Sequence, residues 1–88
     1  MKSKLSNDDL KNIFIENTFN GVSQSNLAKN YGVAQGTLNF NLKMYMLEAY
    51  TDSLKRYNVP LEERAKSYGL TEEQYSALIF RAKSRLMV

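Results

Sequence analysis

Apolar residues recur along this chain at spacings of three and four, and no long stretch alternates strictly between apolar and polar. That is the periodicity of amphipathic helices rather than of half-buried strands. Leu10, Ile13, Phe14 and, at the edge of the series, Phe19 mark one face of a first helix. Ser6 stands where an N-cap belongs, Asp8 and Asp9 follow in the positive first turn, and Asn20-Gly21 ends the helix. Ser23 caps a short second helix containing Leu27 and Ala28, closed by Tyr31-Gly32. Leu38, Leu42, Tyr45 and Ala49, continued by Met46, Tyr50, Leu54 and Tyr57, predict one long helix from about 34 to 57, with Thr51-Asp52-Ser53 as its one candidate break. Pro60 suits the first position of a fourth helix with Glu62 and Glu63 in its first turn, and Tyr68-Gly69 stops it. Thr71 caps a fifth, whose apolar face is Tyr75, Leu78, Ile79, Ala82 and Leu86. The expected fold class is all-α, with about five helices.

An internal repeat organises these elements. Ala28-Lys29-Asn30-Tyr31-Gly32-Val33 returns 37 positions later as Ala65-Lys66-Ser67-Tyr68-Gly69-Leu70. The same offset carries Leu38 onto Tyr75, Leu42 onto Ile79, and the first helix onto residues 44–56. The long central helix is then the last helix of one repeat fused to the first helix of the next. Two units follow, 1–45 and 46–88. Each is near the lower size limit for folding without disulfides or metals, so the second is expected to pack on the first.

Composition narrows the chemistry. The 88 residues carry 12 Lys and Arg against 9 Asp and Glu, a net charge of +3 that permits an anionic partner without demanding one. With no Cys and no His, disulfide scaffolds, zinc sites and Cys- or His-based catalysis are excluded. The carboxylate pairs Glu62-Glu63 and Glu72-Glu73 fall at helix starts, where helix electrostatics explain them. No phosphate-binding glycine loop or nucleophile motif occurs, so neither an enzyme nor a cofactor is expected. No apolar stretch approaches the ~20 residues of a membrane span, and the opening Met1-Lys2-Ser3-Lys4-Leu5 is not followed by the apolar core of a leader. A cytoplasmic protein with no membrane partner is the expectation.

The segment from Gln24 to Lys43 resembles the helix-turn-helix of phage repressors of the Cro type. Small Ala28 stands where two helices meet, Gly32 where the turn needs positive φ, and Val33 where an aliphatic plug belongs. Leu38 and Leu42 anchor the second helix, and Gln24, Lys29, Gln35 and Asn39 match the same pattern. The likeness covers about twenty residues and implies two tandem helix-turn-helix units sharing the long central helix. It implies that the helix beginning near Ala34 lies in the DNA major groove, with Gln35, Thr37, Asn39 and Phe40 at base edges. Ser23, Gln24, Ser25, Lys29 and Lys43 would meet phosphates. Gly36 departs from the usual small polar residue and permits close backbone approach. Phe40 departs further, since the pattern has a basic residue there. It suits contact with a thymine methyl and equally packing on repeat two or a second copy of the chain.

Repeat two keeps the skeleton Ala65, Gly69, Leu70, Tyr75 and Ile79, but Glu72 and Glu73 lead its second helix. Arg64, Lys66, Thr71, Gln74, Arg81 and Arg85 form its candidate surface, for DNA or for a protein. The leading expectation is a sequence-specific double-stranded DNA-binding transcriptional regulator, repressor-like and of phage or plasmid type. A protein-interaction module reusing the fold, or an accessory DNA-processing factor, stays open beside it. So do a homodimer and a protein partner engaged through repeat two.

Overall fold

A computed structural model describes residues 5–86, with the side chain of Leu86 excluded. The opening Met1–Lys4 stretch and the Leu86 contribution to the last apolar face therefore lie outside the described residues. The described chain is all-α, with five helices: α1 Asn7–Phe19, α2 Gln24–Tyr31, α3 Gln35–Lys55, α4 Leu61–Ser67 and α5 Glu72–Leu86. It divides into two compact units, Met1–Tyr45 and Met46–Val88, and α3 contributes its first half to one and its second half to the other. No helix among the described residues is long and apolar enough to cross a membrane.

Each unit is built by the same local rules. In unit one, Ser6 Oγ accepts from the Asp9 amide at 3.1 Å while the Asp9 carboxylate accepts from the Ser6 amide at 3.2 Å. This reciprocal box satisfies two groups that the helix start leaves without intrahelical partners, and an N-cap of this kind contributes about 1 kcal/mol. Helix α1 packs on α2, and Leu10, Ile13, Phe14, Leu27, Ala28, Leu38, Leu42 and Tyr45 are buried. Phe19 is exposed, its ring set edge-on to Phe14 at a centroid distance of 6.3 Å. In unit two, α4 packs on α5, and Met46, Ala49, Ala65, Leu70, Tyr75, Leu78 and Ala82 are buried.

The turn between α2 and α3 is made at Gly32, with φ 68° and ψ 33°. Its amide donates to the Lys29 carbonyl at 3.2 Å, and the Val33 amide donates to the Ala28 carbonyl at 3.0 Å. This is the paired closure by which a left-handed glycine absorbs the last carbonyls of a helix. Unit two repeats it: Gly69 has φ 69°, its amide donates to Lys66 at 3.0 Å, and the Leu70 amide donates to Ala65 at 3.0 Å. The 37-residue offset is thus visible in hydrogen bonds as well as in letters.

Three expectations need correction. Helix α3 runs unbroken through Thr51-Asp52-Ser53, and Ser53 is buried while Leu54 and Tyr57 are 59% and 79% exposed. The inward face of its second half is Met46, Ala49 and Ser53, in steps of three and four. That face turns Leu54 away, and Tyr57 lies past the end of α3 at Lys55. Ser53 sits inside because its hydroxyl donates back to the Tyr50 carbonyl at 2.7 Å, so no polar group is left bare. Second, Pro60 is the N-cap of α4 rather than its first helical residue: its ψ of 148° is extended, and its carbonyl accepts from Glu63 and Arg64 at 3.1 Å. Third, Tyr31 and Tyr68 stand at positions where the helix-turn-helix pattern usually has Leu, which predicts core, yet both are half-buried.

A Cβ added at Gly32 would meet no atom within 4 Å, so the cost of Gly32→Ala is backbone strain alone. The substitution is expected to lower unfolding free energy by about 1–2 kcal/mol. Urea unfolding should show an earlier midpoint at unchanged slope. An unchanged midpoint would mean that the turn does not adopt this conformation.

Candidate functional site

The described face with the most coherent chemistry lies on α2, the Gly32 turn and the first turns of α3. Helix α2 starts at Ser23, whose hydroxyl accepts from the Asn26 amide at 3.1 Å and still has its own proton to donate. The first amides of α2, at Gln24 and Ser25, lie ahead of the helix's own ladder and carry its positive end. Ser25, Asn26, Lys29 and Asn30 are exposed, and Gln24 is half-buried.

On the first half of α3 the exposed residues are Gln35, Gly36, Asn39, Phe40, Lys43 and Met44. Gln35 and Asn39, one turn apart, share a face, as do Gly36, Phe40 and Lys43. Leu38 and Leu42 point inward and fix this face outward. Thr37 is half-buried, and its carbonyl accepts from the Asn41 side-chain amide at 2.8 Å, which commits Asn41 to its own helix. Phe40 is 62% exposed.

Electrostatics set this face apart. No Asp or Glu occurs between Glu16 and Glu48, so all of α2, the turn and the start of α3 are free of carboxylates, and Lys29 and Lys43 are the only charges. This gap was legible in the letters and is a sharper signal than the net charge. At the positions of unit two that correspond by the repeat offset, Glu62, Glu63, Glu72 and Glu73 stand where unit one has Ser25, Asn26, Gln35 and Gly36. All four are exposed.

The six residues named on repeat two do not form one free surface. Thr71 Oγ1 accepts from the Gln74 amide at 3.1 Å, and Gln74 Oε1 accepts from the Thr71 amide at 3.0 Å, so both side chains are spent on the α5 cap. Arg64 donates through Nε to the Val59 carbonyl at 3.0 Å, and its guanidinium carbon lies 5.8 Å from the Tyr75 ring centroid. Arg81 is half-buried, and burial, then the charge of Arg85, push its guanidinium down from its usual value. Lys66 and Arg85 are exposed. Letters place a residue on a helix, but they do not show that a neighbouring carbonyl or ring will claim it.

Unit two also contains a polar cluster that was not foreseen. Arg56 donates to one Asp52 carboxylate oxygen through Nε at 2.9 Å and Nη2 at 2.7 Å, and Nη2 reaches Ser67 Oγ at 2.9 Å. Burial, then the Asp52 carboxylate, push the Tyr68 hydroxyl up to about 12. The spacing of Asp52 and Arg56, one helical turn, was the available clue.

Comparison of the chain with protein-family models, with curated proteins and with solved structures finds no match.

Two outcomes test this description. Gly36 has neither positive φ nor any atom within 4 Å of an added Cβ, so nothing in the fold demands glycine there. Gly36→Ala is expected to raise unfolding free energy by about 0.5–1 kcal/mol, and a loss in calorimetry would refute that. For Tyr68, the folded value lies above the ordinary 10.0, so the hydroxyl is harder to ionise folded than unfolded. Its contribution is complete below pH 10 and is lost as pH rises toward about 12. The decline of stability across that window should be shallower in Tyr68→Phe, and equal slopes would assign the decline to another group.

Proposed function

We propose that this protein is a sequence-specific double-stranded DNA-binding regulator of the repressor kind, with unit one as its reading unit. The observation that carries the reading is the exposed, carboxylate-free face formed by α2 and the start of α3. Duplex DNA presents a dense line of phosphates, and a surface laid against it gains from Lys and amide donors and loses from every carboxylate.

In this reading α3 enters the major groove by its N-terminal turns. Gln35 and Asn39 each carry an amide that can donate and accept at once, the pairing that adenine offers at its N6 and N7. Phe40 supplies apolar contact to a thymine methyl, and Thr37 adds a hydroxyl at the margin of the face. Ser23, Ser25 and the first amides of α2 meet phosphate, with Gln24 beside them. Lys29 and Lys43 add charge that positions without specifying. Gly36, which the fold does not require, removes bulk where the helix backbone comes nearest the bases. A single unit of this size buries little surface, so useful affinity calls for a symmetric pair of molecules on a two-fold operator.

Selection from a randomised duplex library at low and moderate salt tests the reading. An enriched motif is expected. Gln35→Ala and Asn39→Ala should each relax preference at one base pair, at about 1–3 kcal/mol. Lys29→Ala and Lys43→Ala should weaken all sequences alike and reduce the salt slope by about 1 each. Gly36→Ala should bind less tightly although it folds more stably. Failure to enrich any sequence, or a motif unchanged in both Gln35→Ala and Asn39→Ala, would overturn it.

A further inference from the structure

Unit two has an open groove of about 280 Å³ between α4 and α5. Tyr75 and Ile79 line it, Leu61 and Phe80 stand at its apolar edges, and Arg64 and Lys83 supply its charge. Leu61 is 37% exposed and Phe80 70% exposed, so neither is used by the core of the unit. The volume lies below the range of about 300–1,000 Å³ typical of small-molecule sites, and the groove is open to solvent.

The repeat gives this groove its meaning. Its edge residues Leu61 and Phe80 correspond to Gln24 and Lys43 of unit one, so the helix pair that presents polar groups there presents apolar ones here. Arg64 corresponds to buried Leu27. It is held at the groove by its bond to the Val59 carbonyl and by its place over the Tyr75 ring, which orders a cation beside apolar walls before any partner arrives. No carboxylate lines the groove, although Glu62, Glu63, Glu72 and Glu73 are exposed elsewhere on the same two helices. Those four would repel a long polyanionic backbone laid across both helices. A short segment with one or two carboxylates can instead be seated on the cations of the lining, Arg64 and Lys83.

We propose that the α4–α5 groove docks a segment of a partner protein that carries apolar anchor side chains flanked by Asp or Glu. The anchors fill the space between Leu61 and Phe80, above Ile79, and the carboxylates pair with Lys83 and Arg64. This docking is independent of duplex binding by unit one.

The test is to pan a displayed random-peptide library on the full chain and measure synthetic copies of the enriched peptides by fluorescence anisotropy. Enriched peptides should share an apolar pair next to acidic residues. Phe80→Asp and Lys83→Glu should each weaken them by about tenfold or more. Both side chains are exposed, so the circular dichroism of the variants should match the parent. A peptide with Lys in place of its acidic residue should recover binding to Lys83→Glu but not to Phe80→Asp. Three results would overturn the proposal: no enrichment, enriched peptides that bind Phe80→Asp as well as the parent, or a dimer of the chain that Phe80→Asp dissociates, which would make the groove a contact between copies. Loss of duplex binding in Phe80→Asp with no peptide enriched would assign the face to DNA and overturn it equally.

Discussion

The left-handed turn at Gly32, repeated at Gly69, is the constraint on which both units depend. A helix must stop and a second must start four or five positions later, and the carbonyls at the end of the first need partners. The paired bonds from Gly32 and Val33 to Lys29 and Ala28 supply them, as do those from Gly69 and Leu70 to Lys66 and Ala65. A β-carbon is disfavoured at that φ, which is why glycine recurs there at the repeat offset. Once the turn is set, the phase of the following helix is set as well. Leu38 and Leu42 then face inward on α3, and Tyr75 and Leu78 on α5, while Gln35, Asn39 and Lys43 on the first and Glu72, Ser76 and Phe80 on the second face solvent.

From that shared scaffold the two outer faces diverge. Unit one has turned its α2–α3 face into a polar surface without carboxylates, with Phe40 as its most exposed large apolar group and Met44 four positions on. Unit two has placed four glutamates at the matching helix starts and an apolar groove between α4 and α5. Packing forces no such difference, because an exposed position tolerates most residue types at little cost in stability. Two copies of one scaffold can therefore present different chemistry while their cores stay alike. Where the cores do differ, the difference is compensated locally. Arg64 replaces the buried Leu27 of unit one and anchors its Nε on a carbonyl with its guanidinium over an aromatic ring, and Ser53 hides its hydroxyl against its own helix.

Much of this was legible in the letters, and for reasons of short range. The all-α class, five helices, the caps at Ser6, Ser23 and Thr71 and the left-handed glycines all follow from interactions within about five residues, which a linear pattern records directly. The repeat was legible because a punctuation pattern survives substitution of the residues between its marks. The exposed polar face at the start of α3 was legible too, since Leu38 and Leu42 dictate what points the other way.

Residues whose fate depends on neighbours distant in the chain were not legible. Leu54 and Tyr57 look like core by type, but Leu54 lies outside the inward arc, where a serine takes the inner place, and Tyr57 falls past the end of α3. Thr71 and Gln74 look like a free polar surface, yet a helix cap has already claimed them, and Arg64 is held in place by a carbonyl and a ring. The groove beside Phe80 is not a property of any residue in it, because it exists only where α4 and α5 pack. Periodicity specifies which way a side chain leaves its own helix. Which atoms it meets depends on the angle and depth at which the next helix is laid down, and that is settled by packing rather than by spacing.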